Sequence, residues 1–175
     1  MRTIGTAVAV YASVLFNGLI LLSSGPAAEV LVEAEAFAER GGWVLDPQFM
    51  DQMGSPYLLA HGLGKPVANA KTEAEFPAPG FYRLWVRTMD WVPSHHPGRF
   101  KVVVAGTEIA ATFGEQGEGW VWQEGGTVEI KEKTVAIELQ DLTGFDGHCD
   151  ALFFTTDMNS TPPAKPDDSM ARWRR

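Results

Sequence analysis

Apolar and polar positions alternate with a period of two through most of the chain between Val30 and Thr156. Successive side chains of a strand point to opposite faces. Runs of this kind therefore predict short strands at VLVEAEAF (30–37), GWVL (42–45), YLLA (57–60), TEAEF (72–76), FYRLWVRT (81–88), FKVVVAG (100–106), TEIAATF (107–113), WVWQE (120–124), TVEI (127–130), TVAIEL (134–139) and ALFFT (151–155). Gly, Pro, Asn and Asp punctuate them at the intervals of an all-β sandwich or jelly roll. Outside residues 1–28 no stretch keeps helical periodicity over a full-length helix. In FYRLWVRT, Tyr82, Leu84 and Val86 form one apolar face and Phe81, Arg83, Trp85 and Arg87 an amphipathic one, the pattern of a strand with one face in a core. Trp85 and Trp122 read as core residues of their strands.

The ends of the chain break this pattern. Arg2, the apolar stretch Ile4 to Leu22 and the small residues of SSGPAA make the charged, hydrophobic and cleavage regions of a signal peptide over 1–28. An uncleaved membrane anchor is the alternative, since the stretch approaches the ~20 residues that span a bilayer. A secreted or periplasmic mature protein is expected. After Thr156 the chain turns polar and proline-rich (DMNSTPPAKPDDSMARWRR), which reads as a linker or tail over 157–175. Residues 29–156 then form one domain large enough for a core of its own.

Charge narrows the partners. Residues 29–156 hold 9 Lys+Arg against 19 Asp+Glu, a net of −10. Such a surface does not bind nucleic acid or an anionic membrane electrostatically. The single cysteine, Cys149, excludes an internal disulfide and reads as a small buried hydrophobe.

The stretch LQDLTGFDGHCDALFFTT (139–156) begins as a polar, glycine-punctuated loop and ends as an apolar strand with Asp150 at its entrance. A carboxylate there needs a cation. In VLVEAEAF, alternation puts Glu33 and Glu35 on one face of a strand. Together the three acids form a set of hard oxygen ligands suited to Ca²⁺. The simpler reading leaves both glutamates on a solvated face and Asp150 capping a turn.

Asp90 to Phe100 (DWVPSHHPGRF) is the longest predicted loop inside the sandwich, and exposed aromatics on loops are where binding is commonly sited. Trp91 either stacks on a sugar ring, with Asp90 and Arg87 bonding its hydroxyls, or folds back as a lid. His95 and His96 lack a marked third ligand for a transition metal. No catalytic motif appears, so a non-catalytic module is expected. The competing class is a lyase or hydrolase whose three acids and His-rich loop converge on one pocket.

The order of the EAE pair, PAPGFYRLWVRT, GWVW, TVEIKEKTVAIELQDLTG and CDALFF resembles the galactose-binding-like β-sandwich of calcium-containing carbohydrate-binding modules. It is most similar to the xanthan-lyase or golvesin carbohydrate-binding-domain-like variety found at the front of secreted bacterial FAD-dependent oxidoreductases. The similarity covers Val30 to Thr156. It implies a structural Ca²⁺ on Glu33, Glu35 and Asp150. It also implies a polysaccharide or oligosaccharide cleft drawn from Trp120, the neighbourhood of Tyr57 to His61, and His148, at the loop end and not on a sheet face. The sugar-binding modules carry Asn where this chain has His148. The resemblance further suggests a flavoprotein catalytic domain as partner, to which this chain would be an accessory or packing domain. No GxGxxG occurs, so the chain itself offers no flavin site.

Overall fold

The computed structural model describes residues 26–162; the expected signal peptide, apart from its last three residues, and the end of the tail with its WRR lie outside them. Among the described residues no helix is long and apolar enough to cross a membrane.

Among the described residues, ten strands form two antiparallel sheets packed face to face. They are β1 (Glu29–Glu33), β2 (Val44–Asp46), β3 (Tyr57–His61), β4 (Ala70–Glu75), β5 (Gly80–Asp90), β6 (Phe100–Val104), β7 (Thr107–Glu108), β8 (Gly119–Ile130), β9 (Thr134–Asp141) and β10 (Phe145–Thr155). One sheet runs β2-β3-β10-β5-β8, with β1 also pairing on β10; the other runs β4-β9-β6-β7. A 3-10 turn (Ala34–Ala36) follows β1, and a single helical turn, α1 (Met50–Met53), sits between β2 and β3.

The alternating pattern decides which sides face inward. Tyr82, Leu84 and Val86 of β5 and Leu152 and Phe154 of β10 meet Val135, Ile137 and Leu139 of β9 and Phe100 and Val102 of β6 in one buried cluster. Each fully buried side chain of this size is stabilising by about 1.5–3 kcal/mol. Phe76 closes one end of the core, with edge-on contacts to Tyr82 and Phe154 at 5.1 Å. Cys149 is fully buried in the same cluster. Burial, then the charges of Asp150 and Glu35, push its thiol well above the usual range, so it stays protonated.

Two bulges choose what the outer face of the larger sheet carries. WVWQE and TVEI, expected as two strands, are one strand, because the intervening glycines form a bulge instead of a turn: Glu124 pairs with Trp85 and Gly126 with Leu84, leaving Gly125 unpaired. A one-residue insertion inverts the facing of everything beyond it. Trp120, Trp122 and Glu124 thus share the outer face with Met89, Arg87 and Trp85, while Val128 and Ile130 turn into the core. A Cβ on Gly125 would lie 2.8 Å from Leu84 Cγ, so the close approach requires glycine. In β10 the register shifts between Cys149 and Ala151. Cys149 points inward before the shift and Leu152 after it, and Asp150 emerges beside Arg87 on the outer face.

Three local expectations change. β10 begins at Phe145, so most of the predicted polar loop before Asp150 is strand. Of TEIAATF only Thr107–Glu108 is strand, with an isolated Phe100–Phe113 bridge beyond it, so the connection over 109–118 is longer than the Trp91 loop. Trp85 and Trp122 belong to the outer face and not to the inter-sheet cluster.

The turn entering β10 is tied by Asp141, whose carboxylate accepts from the backbone N–H groups of Val67 (2.9 Å), Thr143 (3.0 Å) and Gly144 (3.0 Å). Asp141→Ala is expected to lower unfolding free energy by about 2 kcal/mol, since three N–H groups lose a charged acceptor and only partly recover it from water. Urea titration measures this; a change below about 0.5 kcal/mol would show that water replaces the carboxylate.

Candidate functional site

Two separate places gather polar chemistry. The first is the junction of β1, the turn after it, and β10. The strand containing Glu33 ends there, and Glu35 rides the 3-10 turn, so the two are not on one strand face as alternation alone suggests. The turn nevertheless brings Glu33, Glu35 and Asp150 together, with one carboxylate oxygen of each within 4.8 Å of the others. Asp150 is 1% exposed. Its cation is the guanidinium of Arg87, 3.7 Å from Oδ2 and itself 3% exposed, and Ser55 Oγ donates to Oδ1 at 3.4 Å. Arg87 is therefore committed to Asp150 and does not reach a ligand beside Trp91. Three carboxylates against one guanidinium leave the cluster net negative. All its donors are hard oxygens, which fits Ca²⁺, a cation that takes roughly six to eight oxygens. These three carboxylates would anchor it, with carbonyls and water completing the shell.

The second place is the loop end of the larger sheet. Tyr57, Trp91 and His148 line one pocket of about 250 Å³ together with Asp46, Gln48, Phe49, Leu59, Met89 and Asp146. The local chain explains each position. Tyr57 starts β3 on its outward face, His148 stands opposite Leu59 and Met89 in the ladders of β10, and Phe49 is delivered by the turn before α1. Tyr57 and His148 stack at 5.2 Å and 23°. Trp91, 41% exposed, is fixed by its indole N–H donating to the Phe145 carbonyl at 3.2 Å.

Electrostatics set the hydrogen-bonding character of the pocket. His148 Nδ1 lies 2.5 Å from the Asp146 carbonyl, which can only accept, so Nδ1 carries the proton. Burial lowers the pKa of His148 against the opposing pull of Asp146 and Asp46, keeping the ring neutral with Nε2 as an acceptor. Burial, then the Asp46 carboxylate, raises the phenol of Tyr57, which stays a neutral hydroxyl.

Three expected ligand residues are placed differently. Trp120 is not in the pocket lining; it stands behind it, edge-on to Tyr57 (4.9 Å), His148 (5.8 Å) and Phe49 (6.0 Å). His61 binds the Asp146 carboxylate through Nδ1 at the rim. Asp90 is 2% exposed and accepts from His96 Nδ1 at 2.6 Å, fastening the 91–99 loop from behind. His95 instead bonds Ser94 Oγ at 2.7 Å, so the adjacent histidines do not converge.

Residues missed in the sequence include Asp46, Gln48, Phe49 and Asp146. The signal for Asp146 was its place between Phe145 and Gly147, where it takes a left-handed conformation (φ 56°) at the bulge that breaks the pairing with β3. Larger grooves lie elsewhere: one of about 630 Å³ between β7 and the second half of β8, and one of about 720 Å³ along β1 and β4 that includes Glu33 and Glu35. The acidic groove shares no residue with the loop-end pocket, so the acids and the histidines do not surround one cavity.

The sequence finds no match among family profiles or curated proteins. Solved structures do resemble the fold. A family 35 carbohydrate-binding module from Clostridium thermocellum aligns at TM-score 0.59 and 17% identity, covering 72% of this chain and 96% of that module. A Podospora anserina β-(1,4)-mannanase with a family 35 module aligns at 0.59 and 18%, covering 78% of this chain and 29% of the mannanase. Paenibacillus xanthan lyase aligns at 0.56 and 20%, covering 77% of this chain and 13% of the lyase. The chain thus spans less than a third of the two enzymes but nearly all of a free-standing module. At these identities the likeness establishes an all-β carbohydrate-binding-module-like sandwich. A flavoprotein partner receives no support from these structures.

Proposed function

We propose that the protein is a secreted or periplasmic, non-catalytic carbohydrate-binding module, stabilised by Ca²⁺ at Glu33, Glu35 and Asp150. Its ligand is a saccharide held at the loop end of the sandwich. One observation carries this reading: Tyr57, Trp91 and His148 surround a single pocket together with the carboxylates of Asp46 and Asp146. Rings and a few convergent polar groups are what an oriented sugar ring requires. The pocket has room for about one pyranose, so recognition is of a chain end or a single residue.

The acceptors prevail over the donors. His148 Nε2, Asp46 and Asp146 call for hydroxyl donors, and two carboxylates repel a uronate. In affinity gels, neutral polysaccharides such as mannan or β-glucan are expected to retard the protein while polyuronates at low salt do not. Equal retardation by both, or stronger retardation by polyuronates, would overturn the hydroxyl-donor assignment. The competing reading, an accessory packing domain without a ligand, draws on the burial of Tyr57 and His148; it predicts no retardation by any saccharide.

A further inference from the structure

Beyond β10 the chain turns back across the outer face of the larger sheet. Arg83 holds it there: Nη1 donates to the carbonyls of Met158 (2.8 Å) and Ser160 (3.3 Å) while Nε donates to Glu124 Oε1 at 2.7 Å. The same guanidinium lies 4.5 Å from the ring centre of Trp85, which fixes its plane. The next two residues, Thr161 and Pro162, enter a cavity of about 240 Å³ whose other walls are Trp85, Trp120, Val121 and Trp122. Pro162 is buried, although it stands in a segment whose composition is that of a free linker.

The walls carry unused hydrogen-bonding capacity. The indole N–H groups of Trp85 and Trp120 are inaccessible to solvent and have no acceptor. Leaving such a donor unmade costs about 1–3 kcal/mol. Flat aromatic walls that take proline rings, with donors for the intervening carbonyls, are how polyproline-type peptides are recognised. The sequence that starts in this cavity is TPPAKP (161–166), with three prolines in six residues.

We propose that Trp85, Trp120 and Trp122 form a docking surface for a proline-rich peptide, and that its occupant is this chain's own segment 161–166, which Thr161 and Pro162 begin. The segment is a strap. Arg83 clasps its near end, and Pro162 seats against the tryptophans. The assignment is independent of any saccharide. It also places the strap against Trp120, which on its other side backs the Tyr57 and His148 wall.

The test uses the full chain labelled with ¹⁵N, whose six tryptophans give six indole signals to follow. In the wild type, backbone order parameters over 158–166 are expected near ~0.85, the value for rigid backbone, and in a Pro162→Gly/Pro163→Gly variant below ~0.6. The same variant should move the Trp85 and Trp120 indole signals while leaving core amides in place. Arg83→Gln, which removes the clasp and the cation over Trp85 but touches no proline, should loosen the strap and move the Trp120 indole, on which Arg83 does not stack. Free-chain order parameters over 161–166 in the wild type would overturn the proposal, as would an unmoved Trp120 indole in both variants. Displacement of the wild-type strap by a soluble β-glucan, with a shift at Trp85, would make the surface a saccharide platform and also overturn it.

Discussion

Asp150→Ala is expected to lower the unfolding free energy by about 3–5 kcal/mol, the usual cost of removing one partner of a buried ion pair. The reason is the environment of Arg87. Its guanidinium is 3% exposed and lies 3.7 Å from the Asp150 carboxylate, so the substitution takes a carboxylate away from a buried positive charge on the outer face. Arg87→Met in the same background removes that charge and should restore a large part of the loss, because a buried pair replaced by well-packed apolar groups is often near neutral. A double variant no more stable than Asp150→Ala would mean that the cost comes from elsewhere, with the ladder of β10 the next suspect.

Calcium separates the two roles of Asp150. An ion that binds only the folded state stabilises by RT ln(1 + [L]/Kd), about 2.7 kcal/mol at a hundredfold excess over Kd. Chelation should therefore lower the melting temperature of the wild type and leave both Asp150→Ala variants nearly unchanged. Glu35→Gln keeps the Asp150–Arg87 pair while weakening the ligand set, so it should blunt the calcium response at little cost in chelator. A wild-type melting curve indifferent to calcium would show that Arg87 alone balances these acids.

How much of this was legible in the sequence depends on whether the deciding interaction is local. The two-sheet sandwich followed from period-two alternation because each strand carries its own facing information. The grouping of Glu33, Glu35 and Asp150 was legible, though for an incomplete reason: alternation put the glutamates on one strand, whereas the 3-10 turn after Glu33 delivers Glu35. Nothing local marks Arg87 as the partner of Asp150, since their meeting depends on the β5–β10 register and its shift at Cys149–Ala151. The bulge at Gly125 was hidden for a similar reason. Trp120, Trp122, Val128 and Ile130 are all even-numbered and read as one face, and only the extra residue sends the first two outward and the last two inward. The outward turn of Trp122, expected in the core, follows from that single insertion, whereas Trp85 faces outward by the plain alternation of β5.

The position of Trp120 also changes which substitution tests the loop-end pocket. Trp120 is half-buried, meets three rings and lines the same cavity as Pro162, so Trp120→Ala is expected to cost about 2 kcal/mol of stability, and any loss of binding would be confounded with it. Trp91 is the cleaner probe: it lines the pocket, is 41% exposed and is held mainly by its bond to the Phe145 carbonyl. Hydroxyl bonds to protein replace hydroxyl bonds to water at a net gain of only ~1 kcal/mol each, so stacking supplies the decisive part of a weak affinity. Trp91→Ala should then cost about 2 kcal/mol of binding, roughly thirtyfold in Kd, with the melting temperature within a degree or two of the wild type. His148→Asn should retain binding within a few-fold. Its amide can still donate to the Asp146 carbonyl, and its oxygen, set near the former Cδ2, can accept from a ligand hydroxyl that moves closer, while the stack on Tyr57 is lost. Titration calorimetry with a neutral oligosaccharide that retards the wild type measures all three. Unchanged affinity in Trp91→Ala, together with a tenfold loss in His148→Asn, would show that the ring of Trp91 is a lid held on Phe145 and that the ligand is read by the imidazole itself.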